Sequence, residues 1–361
     1  MAYTAINDSE LYFQVKLHTG TGGSGSLTFD GSEDMQPDMV WSKSRSAALN
    51  HTLFDSVRGA GSNKELTPNG AGAEGGAASA TWGYLSAFDS DGFTWLAGST
   101  NAENFNTSSA TYANWCWKAN GAGSSNGDGA QTTTVSVDTT AGFSIVSYTG
   151  TGTTTNFGHG LGVKPNVILI KSLASNDWVM NGDFLGSTTW EHKIILNSTA
   201  AKATANNFND QAPTSSVWYL NSGHGTTNAS AQAFIAYCFA EKAGYSKFGN
   251  YIGNGNTDGP FCFTGFRPAF FMVKNIDSGS EWEIYDNKRI GYNSANYHLN
   301  PSDPTAEATL SDRIDFLSNG FKIRAYNSGP LNNTGGGDDY MYMAFAEAPF
   351  VNSNGVPCNA R

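Results

Sequence analysis

The sequence predicts an all-β protein that consists of three tandem antiparallel β-sandwich modules of the jelly-roll or lectin-like type. The first reason is composition, because 42 of the 361 residues are glycine, 13% are aromatic and only 14% are charged. Such a chain, with many small polar residues, is typical of short strands joined by tight turns. The second reason is that no helical periodicity is sustained. The third is an internal repeat.

Each repeat begins with a Gly-x-Gly segment, at residues 18–22, 148–152 and 251–255. Each then continues into a proline, an apolar run and a lysine, at residues 37–43, 165–171 and 268–274. Proline suits the first residue of a strand because no ladder hydrogen bond is lost there. These runs predict equivalent strands in the three modules.

Each repeat also ends alike, in nearly continuous apolar runs at residues 112–119, 234–241 and 340–347. Such runs are typical of strands that are buried on both faces. We therefore expect Trp117, Phe239 and Phe345 to be largely buried. A turn before the ending recurs at residues 88–93 and 316–321, and Asn-Gly pairs predict hairpins at several positions.

The repeat divides the chain into a first sandwich at residues 1–120, a linker strand plus second repeat at 121–243, and a third repeat at 244–361. A module of about 100 residues is large enough to bury one core. The segment 120–129 is rich in glycine, serine and asparagine, and we expect it to be a flexible linker.

Charge and hydropathy exclude several classes of partner. The net charge is −11 and no lysine or arginine cluster is present, so no nucleic-acid partner is expected. No apolar run of 18 residues occurs, so no membrane insertion is expected. The N-terminus lacks the basic and apolar regions of a secretory signal. The four cysteines match no metal-binding spacing, and we expect buried free thiols at Cys116 and Cys238.

The sequence contains no recognisable catalytic motif, so the protein is predicted not to be an enzyme and to need no cofactor. The acidic turn 89–92 offers Asp89 and Asp91 as candidate cation ligands, but it lacks the remaining oxygens and the closing glutamate of a calcium loop. No metal site is therefore predicted.

The candidate ligand-binding residues are aromatic residues in polar segments whose composition is typical of loops. Rings beside neutral hydrogen-bonding groups suit sugar faces or protein contacts. The alternative is that each ring packs in the core of its own module. The candidates are Trp82, Trp95, Trp190, Trp218 and Tyr292.

Several segments resemble a family of repeat-containing virion structural and tail-appendage proteins of marine bacteriophages, including cyanophages. The resembling segments are residues 36–46, 51–59, 86–93, 115–119, 244–249, 265–269, 286–289 and 346–357. The resemblance extends over nearly the whole chain and brings no catalytic motif with it. It implies a lectin-like β-sandwich appendage on the virion.

From this resemblance we expect a virion structural protein, made in the cytoplasm of the bacterial host, that acts as a tail fibre or appendage and binds the host cell surface. One alternative is a capsid decoration or capsid-fibre protein that binds other virion subunits. Another alternative is a glycan-degrading enzyme. The expected partners are other virion proteins and a host surface glycan. A homotrimer is expected because virion appendages commonly close by cyclic symmetry.

Overall fold

A computed structural model describes residues 4–290, 292–333 and 335–358 and confirms the all-β fold class. Helical structure is confined to single turns in the described residues, where no helix is both long and apolar enough to cross a membrane. The 3₁₀ turns are Ser9–Leu11, Asp183–Leu185 and Asn206–Phe208, and the α-helical turns are Ser79–Trp82 and Gly225–Asn228.

The first module is a sandwich of two antiparallel sheets. Its strands are β1 (Phe13–Thr19), β2 (Gly25–Leu27), β3 (Met39–Ser44), β4 (Thr52–Asp55), β5 (Tyr84–Asp89), β6 (Gly92–Leu96) and β7 (Thr111–Trp117). One sheet has the order β1-β7-β3-β4 and the other has the order β2-β6-β5. Gly92 allows the edge strand to approach, because a Cβ there would lie 1.9 Å from the carbonyl oxygen of Leu27.

The second module has a larger main sheet and a smaller covering layer. Its strands are β8 (Ser124–Asn126), β9 (Thr133–Asp138), β10 (Phe143–Thr149), β11 (Thr155–Gly158), β12 (Val167–Ser172), β13 (Trp178–Gly182), β14 (His192–Ile195), β15 (Ala203–Thr204), β16 (Val217–Leu220) and β17 (Ala233–Phe239). The main sheet has the order β15-β14-β13-β12-β17-β10-β9-β8, and β11 pairs with β16. The segment expected to be a flexible linker contains β8, which pairs with β9, so that expectation is wrong.

The third module is a sandwich of two four-stranded sheets. Its strands are β18 (Ser246–Ile252), β19 (Phe261–Phe263), β20 (Phe266–Asn275), β21 (Glu283–Asp286), β22 (Ala295–His298), β23 (Ala308–Leu317), β24 (Gly320–Ile323) and β25 (Asp339–Pro349). The sheets have the orders β18-β25-β20-β21 and β19-β24-β23-β22. The β23–β24 hairpin turns at Ser318 and Asn319, and Gly320 of the Asn-Gly pair begins β24.

The three modules share one arrangement of strands in the main sheet. The strands that follow Pro37 and Pro165, and the strand that contains Pro268, each lie between the terminal strand of the module and its next hairpin partner. The equivalent sets are β1-β7-β3-β4, β10-β17-β12-β13 and β18-β25-β20-β21. Equivalent sequence runs therefore occupy equivalent sheet positions.

Strand alternation divides the terminal strands between two cores. Cys116 and Cys238 face the cores inside their own sandwiches and are buried free thiols, as expected. Trp117, Phe239 and Phe345 face the other way and are also buried, as expected. Their rings meet: the Phe345 centroid lies 5.6 Å from that of Trp117 and 5.9 Å from that of Phe239. The outer faces of the three main sheets thus form a central core that joins the modules.

Repeated backbone contacts close the modules into a ring. In each case an N–H from one module donates to the carbonyl that lies two residues after the repeated lysine of the next. The contacts are Glu74 to Leu173 (3.0 Å), Lys202 to Ile276 (3.0 Å) and Glu307 to Arg45 (2.8 Å). These join the first module to the second, the second to the third and the third to the first. A head-to-tail contact that returns to its start is a closed three-fold arrangement.

A second repeated contact crosses the same three interfaces, with donors and acceptors on the opposite modules. The ring N–H of a residue at the start of β4, β13 or β21 donates to a carbonyl of the neighbouring module; His51 and Trp282 immediately precede their strands, and Trp178 is the first residue of β13. The contacts are His51 to Asn300 (3.0 Å), Trp178 to Thr67 (2.9 Å) and Trp282 to Ile195 and Ser198 (both 3.1 Å). Burial lowers the pKa of His51. The neutral ring donates through Nε2 and accepts from Trp41 through Nδ1.

The repeated lysines, Lys43, Lys171 and Lys274, are buried at the end of equivalent strands. Each ammonium donates to the carbonyl of the following residue, at distances of 2.6 to 2.8 Å, and to a loop carbonyl further along. Burial lowers the pKa of all three to about 8. The repeated lysine is therefore a structural tie between a strand and the loop that follows it.

Candidate functional site

Three of the five aromatic candidates are not surface residues. Trp95, Trp190 and Trp218 are 3%, 0% and 0% exposed. Trp95 and Trp218 lie on β6 and β16, where alternation turns them into the sandwich. The Trp190 indole N–H donates to Asp183 at 3.0 Å, within a loop that folds inward. The expectation that these rings are available to a ligand is therefore wrong, and the alternative of core packing holds for them.

The other two candidates reach the surface but lie in different settings. Tyr292 is 70% exposed and follows β21 in the third module. Trp82 is half-buried in the first module and lines a cleft of about 210 Å³. The structure does not bring the two rings into one site. Of the five candidates, Trp82 is the one that combines exposure with a concave surface.

The Trp82 cleft combines an aromatic ring with neutral and acidic polar side chains. Its lining residues are Leu49, Asn50, Ala77, Trp82, Glu103 and Asn104. The last turn of Ser79–Trp82 ends at Gly83, whose φ of 94° is one that glycine adopts without strain. Asn104 holds this end twice, with its backbone N–H on the Trp82 carbonyl at 3.0 Å and its amide on the Gly83 carbonyl at 2.8 Å. The cleft is therefore preformed.

Several hydrogen-bonding atoms of the residues that line the cleft have no partner within the part of the chain that the structure describes. They are the indole N–H of Trp82, the amide N–H groups of Asn50, the amide oxygen of Asn104 and one carboxylate oxygen of Glu103. The cleft therefore offers both donors and acceptors beside an aromatic face. Asn50, Glu103 and Asn104 carry no motif that sequence analysis could have used.

The acidic turn of the first module is occupied by local contacts. Asp89 accepts from the Thr94 hydroxyl at 2.7 Å, and Asp91 accepts from the Met35 N–H at 3.3 Å. In residues 4–290, 292–333 and 335–358, no group of three or more histidine, cysteine or carboxylate side chains is placed to hold a metal ion. The arrangement gives Asp89 and Asp91 a role in the turn.

The edge strand β19 is a second candidate surface, because Phe261 and Phe263 are 47% and 60% exposed. Phe263 also borders an open cleft of about 470 Å³, beside Phe350 and the ion pair of Lys247 with Glu241. The equivalent outward positions are Ser26 and Thr28 in the first module, and Asn156 and Gly158 in the second. The apolar edge therefore belongs to the third module alone.

The Gly-x-Gly segments form three equivalent loops, each of which is held by a buried asparagine. The side-chain oxygens of these asparagines accept backbone N–H groups of the loops. The contacts are Asn106 with Thr21 (2.8 Å), Asn228 with Thr151 (2.9 Å) and Asn332 with Asn254 (2.8 Å). A stacked ring pair lies beneath each loop: His18 on Tyr112, Tyr148 on Phe234 and Tyr251 on Tyr340. Because the modules form a closed ring, the three loops lie at the same end of the three-fold axis.

A comparison with known protein families gives a domain whose residue range covers all three modules. A domain of unknown function, DUF7483, matches residues 8–349. The chain belongs to the DUF7483 family. The matched range runs from the first 3₁₀ turn to the end of β25, so the DUF7483 domain comprises the three modules together. No curated protein and no solved structure matches the chain significantly.

Proposed function

We propose that this chain is a bacteriophage virion structural protein that acts as a tail appendage and binds the host cell surface. The observation that carries the proposal is the closed ring, which presents three equivalent Gly-x-Gly loops at one end of its axis. Repeated display of one surface raises avidity without any new contact. The loops are polar and largely uncharged, and they suit neutral hydrogen bonding to a hydrated cell surface. The sequence resemblance to phage virion proteins supports the same proposal.

The first test locates the protein on the particle. Gold-labelled antibodies against the purified chain are applied to intact virions, which are then imaged by electron microscopy. Label at the tail is expected. Label confined to the capsid shell, or particles without the protein, would contradict the appendage proposal.

The second test measures binding of the fluorescently labelled chain to host cells as salt rises. With a net charge of −11, binding through neutral contacts should persist or strengthen, because salt screens the repulsion from an acidic cell surface. Ser108→Glu with Ser230→Glu adds charge beside two of the Gly-x-Gly loops and should reduce binding. Ser90→Glu with Ser125→Glu adds the same charge at other exposed positions and is the matched control. Equal loss of binding in both pairs would contradict a role for the loops.

A second candidate function, capsid decoration through contact with other virion subunits, is favoured by the exposed phenyl rings of β19. An edge strand with apolar side chains is a ready surface for protein contact, and most proteins avoid it. Phe261→Ser with Phe263→Thr gives β19 the side chains of the first module. Loss of binding to capsid shells that lack the protein, with host-cell binding unchanged, would favour decoration over attachment.

A further inference from the structure

We propose that the Trp82 cleft binds a single neutral sugar ring of a surface polysaccharide. The inference deepens the proposed function, on which it rests for the source of the sugar, and it assigns a ligand class to the one candidate aromatic that lines a concave surface. The evidence is the joint presence of an accessible indole and of several unpartnered hydrogen-bonding atoms around it.

The chemistry of the cleft matches a sugar ring better than an apolar ligand. A pyranose has an apolar face of C–H groups, which stacks on an aromatic ring, and a rim of hydroxyls that both donate and accept. The Trp82 ring supplies the stacking surface. The Asn50 amide and the Trp82 indole N–H supply donors, while Asn104 and Glu103 supply acceptors. An apolar ligand would leave these groups without partners, at a cost in binding free energy.

The cleft also restricts the size and charge of the ligand. A volume of about 210 Å³ equals roughly seven water molecules at ~30 Å³ each, which is room enough for one sugar ring. The Glu103 carboxylate repels uronic and sialic acids, because like charges at short distance disfavour binding. Neutral hexoses are therefore the expected ligands.

Hydrogen bonds within the chain hold the walls of the cleft without a ligand. Asn104 holds the carbonyls of Trp82 and Gly83, and the Tyr112 hydroxyl donates to the Glu103 carbonyl at 2.7 Å. A preformed site loses less entropy when it binds a ligand. The helical turn that carries Trp82 lies in the connection between β4 and β5 of the first module. The expected stoichiometry is therefore one sugar per chain.

Saturation-transfer NMR on the full chain tests this assignment with methyl glycosides of glucose, galactose and mannose, with N-acetylglucosamine, and with glucuronate. We expect at least one neutral sugar to bind with a millimolar Kd and glucuronate not to bind. Trp82→Ala should weaken binding by about tenfold or more. Tyr292→Ala removes a more exposed ring outside the cleft and is the control.

Two further variants separate the role of the cleft from a general loss of folding. Asn50→Ala removes an exposed amide that the core does not need, and we expect it to weaken the same sugar several-fold with unchanged thermal unfolding. Glu103→Gln should allow glucuronate to bind. If the folded wild-type chain binds no neutral sugar at millimolar concentration, or if Trp82→Ala binds as well as wild type, the assignment is wrong.

These experiments distinguish a failure of the sugar assignment from a failure of the proposed function. If the chain is found on the tail and binds cells but the Trp82 variants bind cells and sugars unchanged, the sugar assignment fails alone. If Trp82-dependent sugar binding is observed but the protein is absent from virions, the appendage proposal fails alone.

Discussion

The two interfaces of the first module are built differently from the interface between the second and third modules. In the first module Asp55 forms a buried ion pair with Arg58 and accepts the Tyr237 hydroxyl of the second module at 2.7 Å. In the third module Asp286 forms the equivalent buried pair with Arg289, at 2.7 Å, and accepts the Trp115 indole of the first.

The second module has none of these groups at the equivalent positions. Register places Gly182 where the other modules have the aspartate, and Leu185 follows three residues later. On the facing strand, Met343 takes the place of Tyr237 and Trp115. The acceptor, its cation and the facing donor are thus all absent together.

This difference teaches that the ion pairs are not what makes the ring close. The backbone contacts and the central core are present at all three interfaces, whereas the buried charges are present at two. A buried ion pair is costly to desolvate, and an apolar replacement of similar size is often as stable. Equivalent module interfaces can therefore be filled either by the ion pair with its facing hydrogen-bond donor or by uncharged side chains. The ion-paired form requires the aspartate, the arginine and the donor together.

The largest effect is expected when one partner of the buried pair is removed. Arg58→Leu leaves Asp55 buried without its cation, which should cost roughly 3–5 kcal/mol of the free energy of unfolding. Reversible chemical denaturation followed by fluorescence measures this. A cost below about 1 kcal/mol would show that Asp55 finds another partner or becomes protonated at little cost.

The matched control gives the interface between the first and second modules the uncharged residues of the interface between the second and third modules. The triple variant Asp55→Gly, Arg58→Leu, Tyr237→Met carries the residues found at the interface of the second and third modules. Because no buried charge is left unpaired, we expect the triple variant to be more stable than Arg58→Leu alone. If it is equally or less stable, the two interfaces are not interchangeable.

An intermediate effect is expected from the repeated lysines, which all three modules share. Burial lowers the pKa of Lys43, Lys171 and Lys274 to about 8, whereas the unfolded value is roughly 10.4. Above pH 8 the unfolded chain therefore binds more protons than the folded chain, and stability rises with pH. The rise should end at about pH 9, because burial also raises the pKa of the Cys116, Cys238 and Cys262 thiols and of the Tyr237 and Tyr285 hydroxyls. The folded chain then keeps protons that the unfolded thiols release above roughly pH 8.5.

Denaturation curves between pH 7 and 10 measure the slope. Lys171→Met should reduce the rise by at least about one third, because one of three similar lysines is removed while the opposing thiols remain. Arg324→Leu should leave the rise unchanged, since an arginine does not titrate in this range and Arg324 is not among the charges that shift the three lysines. A fall in stability between pH 8 and 9 in the wild type would show that the loop carbonyls stabilise the ammonium groups more than burial opposes them.

The sequence analysis predicted the strands, but it did not predict which residues pack against the outer face of each main sheet. The Pro-to-Lys runs and the terminal runs gave three equivalent main sheets, because period-two alternation and turn residues are local signals. The same alternation shows that Cys116 and Trp117 point to opposite faces. It does not show that Trp117 meets Phe345 of another module, because that contact depends on how the modules close into a ring.

The candidate site was predicted less well for a related reason. Trp95 and Trp190 lie in polar segments of the sequence, yet both are buried. Strand alternation buries Trp95, and a loop that folds inward buries Trp190. Trp82 lies in a similarly polar segment, but it lines a cleft. Of its neighbours, Asn50 comes from one loop and Glu103 and Asn104 come from another, so no spacing along the sequence links them to Trp82.

The smallest effect isolates the single hydrogen bond that crosses between the first two modules to the buried ion pair. Tyr237→Phe removes the hydroxyl that donates to Asp55 and keeps the ring, so it should cost about 1.5–3 kcal/mol, the range for hydrogen bonds to charged groups. Tyr251→Phe removes a hydroxyl that donates to the neutral Leu331 carbonyl at 2.9 Å within the third module and should cost only about 0.5–1.5 kcal/mol. Denaturation of the two variants under the same conditions compares them directly. Equal costs would mean that the charge of Asp55 adds nothing to the contact, and the ion-paired interfaces would then differ from the apolar one in shape alone.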